Sequence, residues 1–74
     1  MDGAQWITAF AAGAGVEAPS DEEVEQLLAL AGIAAHASER TAAPVSCWIA
    51  ARAGLGAADA RALAARLADT AGEQ

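Results

Sequence analysis

Roughly a third of this 74-residue chain is alanine, and that sets the terms on which it can fold. Alanine is the best helix former but buries little area, so helices form readily around a thin core. The large apolar anchors are few: Trp6, Ile7, Phe10, Val24, Leu27, Leu28, Leu30, Ile33, Val45, Trp48, Ile49, Leu55, Leu63 and Leu67. They recur at helical spacing, and nothing alternates with period two over a useful length, so no strand is expected. The reading is all-α: a compact bundle of four short helices in one small domain, residues 1–74.

Punctuation along the chain supports this division. Asp2 is placed to cap a first helix whose stripe is Trp6, Ile7, Phe10, Ala11 and Ala14, ending by about Gly15. Ser20, with Glu23 three residues on, forms a capping box before a second helix running to about Ala37. Asp21, Glu22 and Glu23 suit the positive end of its dipole, and its stripe reads Val24, Leu27, Leu28, Ala31 and Ala34 or Ala35. Gly32 is either a weak point or a place of close helix approach. The segment around Arg40–Pro44 breaks the pattern, because Ala43 precedes a proline. Pro44 then suits the first turn of a third helix carrying Val45, Trp48, Ile49 and Arg52. Gly54–Gly56 is a tight turn with Leu55 directed inward. The fourth helix, about Ala57–Ala71, uses Leu63, Ala64, Leu67 and Ala71. The final AGEQ is expected to fray.

Charge excludes several functions. The net charge is −6, lysine is absent and the four arginines (Arg40, Arg52, Arg61, Arg66) are scattered, which argues against nucleic acid, whose phosphates need several cations on one face. No apolar run reaches membrane-spanning length. With no basic region at the N-terminus and a lone Cys47, the expectation is a cytoplasmic protein without a disulfide. One cysteine and one histidine make no metal quartet, so no metal site is expected.

The rarest side chains nevertheless crowd into AAHASERTAAPVSCW, which holds His36, Arg40, Cys47 and Trp48. Two readings stand. In one, His36 and Arg40 share a helix face and meet Thr41, Ser46 and the N–H groups of Ser46 and Cys47 at the start of the third helix. That would be a pocket for an anion or a phosphorylated cofactor. In the other, His36 serves the last carbonyls of the second helix, Arg40 pairs with an acidic residue or the same carbonyls, and the Ala-Pro step sets the angle of a corner that binds nothing. Cys47 as a nucleophile would lack a base–orienter pair beyond His36. Trp6 and Trp48 are core anchors or, with Phe10 and Arg52, the aromatic centre of a protein interface.

The same region carries a resemblance. Trp6, Gly15, Leu27, Leu28, Leu30, Ala31, Ala35, His36, Arg40, Ala43 and Pro44 match a pattern of the form LLxLAxxxAHxxxRxxAP that resembles a bacterial domain-of-unknown-function family (DUF6457-like). After the proline, where members often carry threonine, this chain has Ser46 and Cys47. The resemblance implies company with molybdenum-cofactor biology, since such domains occur alone or fused to proteins resembling molybdenum cofactor guanylyltransferase. The resulting expectation is a non-catalytic accessory module, a small subunit or adaptor of a molybdoenzyme such as a formate dehydrogenase, or of cofactor synthesis. It would bind no cofactor by itself and would approach the molybdenum cofactor only through a larger protein partner. Self-association is the remaining alternative.

Overall fold

The computed structural model describes residues 1–72, and side-chain environments as far as Thr70. Four helices follow in chain order: α1 (Gly3–Ala14), α2 (Asp21–Ala37), α3 (Ala42–Arg52) and α4 (Ala57–Gly72). The fold is an all-α bundle. Glu73 and Gln74, in the tail expected to fray, lie outside the described residues, while Ala71 and Gly72 belong to α4.

Both N-terminal signals form as the sequence dictates. The Glu23 N–H donates to Ser20 Oγ at 3.1 Å, and the Ser20 N–H donates to Glu23 Oε1 at 2.9 Å. Asp2 caps α1 in the same reciprocal way, with Gln5 as a partner that the sequence reading left unassigned. Helix ends are set by two left-handed glycines, Gly15 and Gly54, each at φ 76°. Behind each glycine the next N–H reaches back five residues, Val16 to the Ala11 carbonyl and Leu55 to the Ala50 carbonyl. This arrangement satisfies carbonyls that the helix leaves free.

The break before α3 falls earlier than the proline implies. Ser38 leaves helical geometry at φ −143°, ψ −102°, and α3 already begins at Ala42. Ala43 is therefore helical despite the proline that follows it. Pro44 sits third in the helix, within the first turn, where a missing N–H breaks no ladder bond.

Packing centres on α2, which lies against α4 and, less extensively, α3. The core is Leu30, Ala50 and Ala60, with Leu27, Cys47 and Ala64 partly buried around it. Arg61 of α4 adds a hydrogen bond to the Gln26 side chain of α2 at 3.1 Å. α1 packs against none of the other helices, and the molecule is elongated, 42 × 24 × 19 Å.

The inward faces differ from the expected stripes. Leu28 is 68% exposed, and Leu30 takes the central place in α2. In α4 the small side chains Ala57, Ala60, Ala64 and Ala68 are the covered ones, whereas Leu63 and Leu67 are exposed. In α3 the inversion is complete: Ala43, Cys47 and Ala50 turn inward, and Val45, Trp48, Ile49 and Arg52 turn outward. Leu55, expected inward, is exposed at the edge of a groove between α3 and α4. The reason is geometric. A helix contact built on alanine lets backbones approach closely, and the larger side chains are displaced to its flanks. Ala71, the last residue of the expected α4 stripe, lies beyond the described side chains.

Gly32 is not a close-approach site, since a Cβ built there meets nothing within 4 Å. Gly32→Ala is therefore expected to raise the unfolding free energy by about 0.5–1 kcal/mol in urea titration. Gly54→Ala, forced into the left-handed region, is expected to lower it by about 1–2 kcal/mol.

Candidate functional site

The corner between α2 and α3 is built by local hydrogen bonds that leave its rare residues to one side. α2 ends at Ala37, so His36 and Arg40 do not share a face of a continuing helix. The capping of α2 that the second reading gave to His36, and as one option to Arg40, belongs to Ser38, whose Oγ donates to the Ala34 carbonyl at 2.7 Å and whose N–H donates to the same oxygen at 3.1 Å. His36 lies at the surface in a shallow depression with Ala29, Gly32, Ile33, Ala37 and Ala68, while Arg40 and Thr41 are exposed in the turn.

The start of α3 offers few donors. Ala42 N–H donates to the Glu39 carbonyl at 3.0 Å, Ala43 N–H donates to the Arg40 carbonyl at 3.1 Å, and Pro44 has none. The Thr41 hydroxyl makes no capping bond. Ser46 and Cys47 lie in the second turn, beyond the four leading residues whose amides a helix leaves unpaired. Their amides therefore do not form the cradle expected at a helix N-terminus. Ser46 is half-buried on the α3–α4 groove, and Cys47 is a half-buried free thiol against the core. None of the side-chain hydrogen bonds among the described residues involves His36, Arg40, Thr41, Ser46 or Cys47. Among the described residues no three of His, Cys, Asp and Glu are grouped so as to hold a metal ion. No helix of the described residues is long and apolar enough to cross a membrane.

The aromatic side chains are the more prominent feature. Trp48 is 61% exposed, and the Arg52 guanidinium carbon lies 5.1 Å from its ring centroid. The two are one helical turn apart, and their cation–π contact is worth about 0.5–1 kcal/mol at such a site. On α1, Trp6 and Phe10 are 60% and 66% exposed and stack on each other with centroids 6.0 Å apart. Neither tryptophan is a core anchor. The sequence signal for this was the alanine content itself: inward positions occupied by alanine leave large apolar residues outside.

A family model described as "Domain of unknown function (DUF6457)" matches residues 1–74. The chain belongs to this family. No curated protein and no solved structure matches it. Of the residues that carry the resemblance, Pro44 lies in the first turn of α3 and Ala43 is packed inward, whereas His36 and Arg40 face solvent.

Because His36 makes no capping bond, His36→Ala is expected to leave the unfolding free energy within about 0.5 kcal/mol. Ser38→Ala removes the carbonyl bond at the end of α2 and is expected to lower it by about 0.5–1.5 kcal/mol. Urea unfolding followed by circular dichroism checks both.

Proposed function

We propose that this chain is a non-catalytic interaction module whose outward apolar faces are covered by a larger protein. One observation carries the reading: most of the large apolar side chains, Trp48 among them, are exposed, while the buried core is Leu30 with two alanines. Exposed apolar side chains that cluster on one face mark interaction sites in soluble proteins. The α3 face of Val45, Trp48 and Arg52 has the composition of an interface centre, since tryptophan and arginine are enriched among residues that dominate binding energy.

The partner class comes from the family resemblance alone: a molybdenum-dependent enzyme, for example a formate dehydrogenase, or an enzyme of molybdenum-cofactor synthesis. In this reading the domain holds no cofactor of its own and works in the cytoplasm as a small subunit or adaptor.

Native purification of the tagged chain from its own cells tests the proposal, with mass spectrometry of the proteins retained. A molybdoenzyme or cofactor-synthesis enzyme at near-stoichiometric amount is the expected result. Trp48→Ala is expected to weaken that association by about thirtyfold or more while changing stability by no more than about 1 kcal/mol. Recovery of the chain with neither class of partner overturns the adaptor reading.

A further inference from the structure

Only the chain itself joins α1 to the other helices. Among the described residues no hydrogen bond links residues 1–16 to residues 20–72, and α1 packs against none of the other helices. Both ends of α1 are closed from within. Asp2 and Gln5 bond each other at the start, and the Val16 N–H donates to the Ala11 carbonyl at the finish. Ala11, the one buried residue of α1, lies beside that closing turn. By contrast, α2, α3 and α4 share a core at Leu30, Ala50 and Ala60, and Arg61 of α4 bonds Gln26 of α2.

On its own, α1 is close to balance between helix and coil. It has 12 residues, a length at which an isolated helix is marginal in water. Its middle holds Trp6, Ile7, Thr8 and Phe10, aromatic and β-branched side chains of low helix propensity, and Gly13 weakens its last turn. Ion pairs four residues apart, which support exposed helices, cannot form because α1 has no ionisable side chain. The capping box, the left-handed Gly15 and the Trp6–Phe10 contact act in the other direction. All of these terms are local. The balance they set is therefore uncoupled from the packing of α2, α3 and α4.

We propose that α1 is a separately folding arm, which opens and re-forms while α2, α3 and α4 stay assembled. The molecule then has two cooperative units: a three-helix body centred on the α2–α4 contact, and a helix whose order leaves that body unchanged. Opening stops at Ser20, because its capping box with Glu23 belongs to α2. Such an arm is a segment whose ordering entropy is met only when something orders it, the form that order–disorder switches take. The proposal rests on contacts within the chain and does not depend on the adaptor reading.

Hydrogen–deuterium exchange of the purified full chain at low micromolar concentration tests it. Amides of residues 6–14 are expected to exchange within about tenfold of their intrinsic rates, whereas those of residues 27–34 exchange only when the whole body unfolds. Stronger protection in α1 overturns the proposal. Ala9→Pro, which breaks α1 at its centre, supplies a second measurement. It is expected to leave the urea midpoint within about 0.2 M of that of the unaltered chain, and a larger fall overturns the proposal.

Discussion

The rest of the molecule depends on the contact between α2 and α4, where Leu30 meets a row of alanines centred on Ala60. Ala60 is the most buried residue described, at 2% exposure. Small side chains let the two helices approach closely, and the Arg61–Gln26 hydrogen bond ties them at one flank. α3 packs on the same centre through Ala50 and Cys47. The outward placement of Trp48, Ile49, Leu63 and Leu67 goes with this, because the inward positions of α3 and α4 are held by small side chains.

The usual relation between hydrophobic pattern and burial is thereby inverted in α3 and displaced in α4. A stripe drawn through the largest apolar residues assumes that each helix turns its bulkiest side inward. That assumption fails where alanine makes up the competing stripe, since Ala43, Cys47 and Ala50 have helical spacing just as Val45, Trp48 and Ile49 do. Composition signals a thin core but does not say which of two parallel stripes fills it. The capping residues were legible because their chemistry is local: Asp2 and Ser20 bind amides three residues away, and Gly15 and Gly54 adopt backbone angles that other residues resist.

The corner at His36–Cys47 was legible only as a concentration of unusual residues. Its hydrogen bonds are made by Ser38 and by the carbonyls of Glu39 and Arg40, which carry no distinctive motif. Pro44 indicated a helix start, but α3 begins two residues sooner because the amides of Ala42 and Ala43 find acceptors in the turn. That shift moves Ser46 and Cys47 into the second turn. A two-residue difference in a boundary thus decides whether those amides face solvent or belong to a helix ladder.

The alanine interior also shapes how the fold responds to temperature. Heat capacity of unfolding scales with the apolar surface newly exposed to water. An interior built on one buried leucine and two buried alanines withholds little such surface. The stability curve of the isolated chain should therefore be shallow, with low curvature and a broad thermal transition. Alanine also has no side-chain rotamers to immobilise, so its ordering carries almost no entropy penalty. The fold thus rests on a weak driving force matched to an equally small side-chain cost.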